Sequence, residues 1–312
     1  MVIKAVAVAV PGIAHPRTGR VWAPNLQGWD DYPLRDEVRD AFSDPGVKFV
    51  VESDRAAYIL GEAWQGAARG CRDAIFLAVG TGIGAGILTD GRVLRGEGGI
   101  AGAIGWLALN RPFLPEYKDC GCFESHASGE GLARAARDLL VRRKGYRGPL
   151  RKKPSITAPD VFQACARGDE VARQVLEQAI AFWGMACANL ISLFNPETII
   201  FGGGVFGPAA RFLDAIAAEA HRWGQPAAMR QVAFEVSRLG SDAALYGAAV
   251  LAREARQWAQ PVSARRVRFE ASALGGDAGL YGAAYLAFKQ VRGKSLQPPT
   301  HSSNKRRKVR GQ

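Results

Sequence analysis

The chain has 312 residues, 48% hydrophobic and 22% charged, with a formal net charge of +12 and five cysteines. That balance supports a full hydrophobic core, at a length that favours two lobes over one, and excludes a disordered, fibrous or disulfide-stapled chain. The longest apolar run near the start, Ala5 to Val10, is closed by Pro11-Gly12 and is too short for a membrane span and weak as a signal peptide, so a cytoplasmic protein with free thiols and no membrane partner is expected.

In chain order, Ile3 to Val10 and Val47 to Val51 are β-rich runs, and Asp54 to Ala67 suits a helix. Ala74 to Val79 reads as a short buried strand feeding a glycine loop, Gly80-Thr81-Gly82-Ile83-Gly84-Ala85-Gly86. A second strand, Ile87-Leu88-Thr89, and an Asp90-Gly91 turn complete a predicted hairpin. From Ser128 to Asn195 the pattern is mostly helical, with Pro159-Asp160 opening one helix and Ala172 to Phe194 supplying a long apolar periodicity. Thr198 to Phe201 is again a buried strand and ends in Gly202-Gly203-Gly204.

Residues 221 to 252 and 256 to 287 match at 19 of 32 positions with a constant offset of 35, which reads as a tandem duplication of one strand-helix unit. The positive charge gathers in two places. Arg142, Arg143, Lys144, Arg147, Arg151, Lys152 and Lys153 fall on an expected loop between helices. Lys289, Arg292, Lys294, Lys305, Arg306, Arg307, Lys308 and Arg310 fall in a basic tail without acids, which reads as disordered and solvated rather than as a nucleic-acid interface.

Glycines after buried strands let backbone N–H groups converge on an anion, because no Cβ blocks the approach. Phosphate binding is therefore physically reasonable at both glycine loops, with an ordinary glycine-rich tight turn as the alternative reading. Asp54, at the start of a helix, reads either as a catalytic carboxylate or as a helix N-cap, and Glu124 either as a ligand contact or as a surface charge in a first helical turn.

The motifs follow one another as Val8-Ala9-Val10-Pro11-Gly12, Ala23-Pro24-Asn25-Leu26-Gln27-Gly28-Trp29, Glu52-Ser53-Asp54, the Gly80 to Gly86 loop, Gly121-Cys122-Phe123-Glu124 with Ser128-Gly129, and Asn195-Pro196-Glu197 through Gly204. From about Val6 to Leu251 this series resembles the ROK family of sugar kinases and sugar-responsive regulators. The resemblance implies an α/β, actin-like, two-lobed sugar kinase fold of the ribonuclease H-like class, with Mg²⁺-ATP in the cleft and a homodimer as the assembly. It implies Asp54 as the base that accepts the sugar hydroxyl proton. Gly80, Thr81, Gly82 and Gly84 would meet the phosphates and Gly203 and Gly204 the adenosine, while Asn25, Ser53 and Glu124 would contact the sugar.

The sequence also departs from the family. No Asp-x-Gly-Gly-Thr phosphate loop precedes Ile3, so an incomplete small lobe and weak or absent activity are expected, with a non-catalytic sugar-binding regulator as the alternative. Gly102-Ala103-Ile104-Gly105-Trp106 stands where the family has Gly-Glu-Ile-Gly-His, and Ser53 where an asparagine is usual. Trp106 reads either as a surface for a sugar face or as a buried structural residue. Only Cys122 matches the family's zinc pattern, so no structural zinc is expected, and His126 reads as solvent-facing or locally packed. The expected domains are an incomplete small lobe at 1–72, a large lobe with the nucleotide and sugar loops at 73–240, a closing helix plus the duplicated unit at 241–292, and the tail at 293–312.

Overall fold

The computed structural model describes residues 3–24 and 26–257. Asn25, most of the second repeat copy and the basic tail lie outside the described residues. In the N-terminal lobe, strand β1 (Ala5–Val10) precedes a short antiparallel pair, β2 (Ile13–Ala14) and β3 (Val21–Trp22), then helix α1 (Leu34–Asp40). Strand β4 (Lys48–Ser53) pairs in parallel with β1, Ala5 opposite Lys48 through Val10 opposite Ser53. The alternation of β1 sorts its side chains by size. Val6, Val8 and Val10 fill a core with Leu34, Val38 and Val51, while Ala7 and Ala9 leave room on the other face for a helix.

Helix α2 (Asp54–Gln65) follows β4 without a break and lies between the two lobes. Its Ile59 packs on Phe76, Leu88 and Ile200 of a five-stranded sheet. That sheet contains β5 (Ala74–Val79), β6 (Ile83–Thr89) and β7 (Arg92–Val93), and further along the chain β8 (Thr198–Gly202) and β9 (Ala233–Val236), in the order β7-β6-β5-β8-β9. The β5–β6 pair is antiparallel and β5–β8 and β8–β9 are parallel. Asp90 and Gly91, with φ of 50° and 72°, close the β6–β7 hairpin in the left-handed geometry that this dipeptide tolerates.

The other sheet face carries the helices α3 (Tyr117–Cys120), α4 (Cys122–Ala127), α5 (Gly129–Arg142), α6 (Ala158–Ala166) and α7 (Glu170–Phe194). Helix α6 opens on a capping box in which Thr157 and Asp160 satisfy each other's backbone donors. Helix α7 has the length and mean hydropathy of a membrane span, 1.3 over its best window. Its Val175, Leu176, Trp183, Leu190 and Ile191 are nevertheless buried within the protein, and the Trp183 indole donates to Ala127 O at 3.1 Å. Helices α8 (Leu213–Trp223) and α9 (Pro226–Met229) lead to β9, and α10 (Ala243–Gln257) then returns to the first lobe, where Ala248 and Leu251 cover Ala7.

The glycine loop is shorter than the expected Gly80–Gly86 stretch. Val79 pairs with Ile83 directly, so only Gly80-Thr81-Gly82 forms the turn, and Gly84 and Gly86 lie inside β6. Glycine is needed there because α2 crosses closely: a Cβ on Gly86 would meet Arg55 O at 2.0 Å, and one on Gly84 would meet the Arg55 side chain at 2.7 Å.

Candidate functional site

Strand β4 delivers two buried residues, Glu52 and Ser53, to the start of α2. Ser53 holds the N-cap position and Asp54 is the first helical residue, which answers the N-cap alternative for Asp54. The Ser53 hydroxyl lies 3.1 Å from Gly12 O and 3.4 Å from Asp54 Oδ1. Burial pushes the Asp54 carboxyl up to about 6, partly opposed by the Arg55 charge and by hydrogen bonds from the Arg55 backbone, Tyr58 and Ser53. A carboxylate poised there accepts a proton near neutral pH more readily than a fully solvated one.

Arg55 is a site residue that sequence reasoning missed. Its Nε donates to Ser53 Oγ at 3.0 Å, and its terminal nitrogens reach Gly12 O at 3.3 Å, Ile100 O at 3.4 Å and Gly99 O at 3.5 Å. One guanidinium therefore joins the turn after β1 to the loop after β7. A second link runs parallel to it, Arg95 Nε to the buried Glu52 at 2.6 Å. An arginine in a helix's first turn beside an acid reads in sequence as a surface charge, so no local signal marked it. Because the Arg55 charge holds the Asp54 carboxyl down, Arg55→Ala is expected to move the Asp54 titration to higher pH, a shift that carbon-detected NMR of the carboxyl checks.

Glu124, in the first turn of α4, is half-buried rather than a free surface charge. Its Oε2 accepts the Ile83 backbone N–H at 2.6 Å, and burial pushes its carboxyl up while that hydrogen bond pulls it down. A Cβ on Gly82 or Gly105 would come within 2.8 Å and 2.9 Å of the same oxygen. Glu124 thus lies against Gly82 and Ile83, and Arg55 against Gly84. This stretch at the start of β6 is met from one side by Glu124 and from the other by Arg55, the residue after Asp54 at the start of α2.

The glycines after β5 and β8 come together next to that stretch. Gly203, at φ 89°, packs so tightly on β5 that a Cβ would meet Val79 O at 2.4 Å. Gly129 N–H donates to Gly80 O at 2.8 Å, which sets the N-terminus of α5 beside the Gly80–Gly82 turn. Ser128 caps that helix by accepting from Gly131 N–H. Gly80 and Gly204 face open space, and Thr81 is exposed at the turn. An exposed glycine turn set beside a helix N-terminus and the Gly203-Gly204 pair is the kind of backbone that fits the phosphates of a nucleotide. Gly129 was missing from the expected contacts, although its place just after a helix cap was legible.

Trp106 is 55% exposed, which corrects the buried structural alternative, and Gly121 packs closely against its Cα. Neighbouring Ala103 and Trp106 give this segment neither carboxylate nor imidazole. His126 is half-buried rather than solvent-facing, stacked on Phe182 with ring centroids 4.3 Å apart and hydrogen-bonded to Tyr117 OH at 2.6 Å. Burial lowers its pKa. Among the described residues no group of three or more His, Cys, Asp or Glu is placed to hold a metal ion.

The family model of the ROK family matches residues 1–255. The chain is 32% identical over 254 residues to a glucokinase from Halalkalibacterium halodurans, covering 79% of this chain and 75% of that one. It is 31% identical to a xylose repressor from Caldicellulosiruptor bescii, covering 80% of this chain but 62% of the repressor's length. Among solved structures, a ROK family glucokinase from Streptomyces griseus in complex with glucose and AMPPNP superposes with a TM-score of 0.67 at 31% identity, over 81% of this chain and 82% of that one.

Proposed function

The chain belongs to the ROK family, and from that premise we propose that it transfers the γ-phosphoryl group of ATP to a hydroxyl of a hexose or related sugar, acting as a cytoplasmic homodimer. The observation that carries this reading is the meeting, at the start of β6, of Glu124 and the N-terminus of α2, whose Asp54 carboxyl is pushed up to about 6, next to the exposed Gly80–Gly82 turn.

In this reading Asp54 accepts the proton of the attacking sugar hydroxyl as its oxygen bonds to the γ-phosphorus and the bond to the leaving ADP breaks. Backbone N–H groups of Thr81 and Gly82 hold the phosphates, with Gly203 and Gly204 against the adenosine; Gly80 and Gly129, whose N–H groups are given to Gly82 O and Gly80 O, shape the turn, and Gly84 gives α2 its close crossing. Ser53, Asn25 and Glu124 orient the sugar. Magnesium, when bound, neutralises phosphate charge; it is normally held by a few waters and the phosphates themselves with one or two carboxylates, so a dense protein cluster is not required. Each of the chain's own parts acts by positioning, which is most of what phosphoryl transfer asks of a protein.

The test is ADP release by the purified chain with Mg²⁺-ATP across a panel of hexoses, N-acetylhexosamines and water. Sugar-dependent turnover supports the kinase; sugar binding in calorimetry without turnover supports a regulator. That second reading is favoured by one specific feature, the Ala103 to Trp106 segment, whose exposed indole offers a stacking face where no acid or imidazole is available. Glu124→Ala is expected to raise the sugar KM at least about tenfold, since it removes a half-buried acceptor and frees the Ile83 N–H it holds. Steady-state kinetics check this, and an unchanged KM removes Glu124 from the sugar site.

A further inference from the structure

The tandem repeat has no role in the reading above, and the first copy's place in the fold shows what the second copy preserves. Helices α2 and α10 touch backbone to backbone: a Cβ on Gly247 would meet Ala57 O at 1.9 Å, and one on Gly61 would meet Ala243 O at 2.2 Å. The second copy has Gly282 and Ala278 at the matching positions. The fully buried Glu62 of α2 accepts from the Ser237 hydroxyl and from Leu239 N–H at 3.2 Å, and the second copy has Ser272 and Leu274. Phe234 stacks on Phe201, and Ala248 and Leu251 are buried; their counterparts are Phe269, Ala283 and Leu286.

The differences between the copies follow the same geometry. A Cβ on Gly224 would meet Met229 Sδ at 2.4 Å, and the second copy changes both residues together, to Ala259 and Ala264. The added methyl is matched by a removed thioether. Buried Val250 becomes Tyr285, and Val250 borders an open groove of about 450 Å³ shared with Leu60, Trp64, Leu88 and Arg253, which has room for a ring. His221, Arg222, Gln231, Ala233, Val236, Arg238 and Ser241, which also differ, are all exposed, and the half-buried Ala227, Ala228 and Ala244 change by only one or two heavy atoms, to Val262, Ser263 and Gly279. A copy with no packing to satisfy would vary as readily at the docking face as away from it.

We propose that residues 256–287 are a second occupant of the surface formed by α2 and the β9-bearing edge of β8, interchangeable in cis with residues 221–252. The tether within one chain favours this over exchange between chains, because it holds the second copy at an effective concentration of around millimolar.

The test is a mutant cycle in the full chain, read by thermal unfolding and by light scattering over a range of concentrations. Valine at Gly247 drives a side chain into the Ala57 carbonyl and expels the first copy, so Gly247→Val is expected to lower Tm by less than about 3 °C if the second copy takes its place. Gly282→Val alone is expected to be silent. The double variant loses both occupants, and its Tm is expected to fall by more than about 8 °C, or the chain fails to fold. The proposal is overturned if Gly247→Val alone fails to fold or matches the double variant, or if its rescue appears only with a concentration-dependent dimer.

Discussion

Asp54→Asn is expected to abolish sugar-dependent ADP release, by about 10²- to 10⁴-fold, and at the same time to make the protein more stable at neutral pH. Both effects have one physical origin. The carboxyl is held in a site that disfavours its charge, with the folded value pushed up to about 6 from an ordinary 3.8. A group raised in the folded state contributes its full stability below the unfolded value and loses it as pH rises through the folded one. The wild-type protein is therefore penalised above about pH 6, whereas asparagine, which keeps an oxygen acceptor and carries no charge, is not. The gain is on the order of 1–3 kcal/mol at pH 7 and is expected to vanish below about pH 4, where wild type is protonated in both states. Urea unfolding at pH 4 and pH 7 measures it directly. The wild-type rate should rise with pH through about 6, the limb of a base that must be ionised to act. A variant that loses activity without gaining stability would place Asp54 in solvent rather than in a strained catalytic position.

What the sequence disclosed and what it hid divide along a physical line. Strands β1, β4, β5 and β8 were legible because continuous apolar runs bounded by glycine or proline have few alternatives. Asp54, Glu124 and the glycines could be singled out as candidates because their order along the chain, not any one of them, is specific. The hidden parts all depend on cross-lobe contact. Gly84 and Gly86 look like more loop until α2 is seen crossing β6, and Arg55 looks like a surface cation until Gly12, Gly99 and Ile100 are brought around it. Trp106 could be read either way, since the composition of Gly102 to Trp106 does not say which side of the turn the indole takes.

Glu62 was equally silent in the sequence, yet its loss is expected to be the most damaging single change to stability. It lies eight residues beyond Asp54 on α2 and is fully buried. One carboxylate oxygen accepts Ala67 N–H at 2.6 Å and so closes the C-terminal turn of α2. The other accepts the Ser237 hydroxyl and Leu239 N–H, which fixes the passage from β9 into α10. Glu62→Ala leaves two backbone donors and a hydroxyl without an acceptor in a space that water does not readily enter, each worth about 1–3 kcal/mol when orphaned. Relief from burying the carboxylate offsets part of this, so a net loss of about 3–5 kcal/mol is expected in urea unfolding. Glu62→Gln keeps one oxygen but turns an amide N–H₂ toward a donor, and is expected to fall between wild type and alanine. A loss below about 1 kcal/mol for alanine would mean that these donors find other partners. The helix carrying the proposed base would then be held by its packing on the sheet and its glycine contacts with α10, and not by a carboxylate that ties it to the passage from β9 into α10.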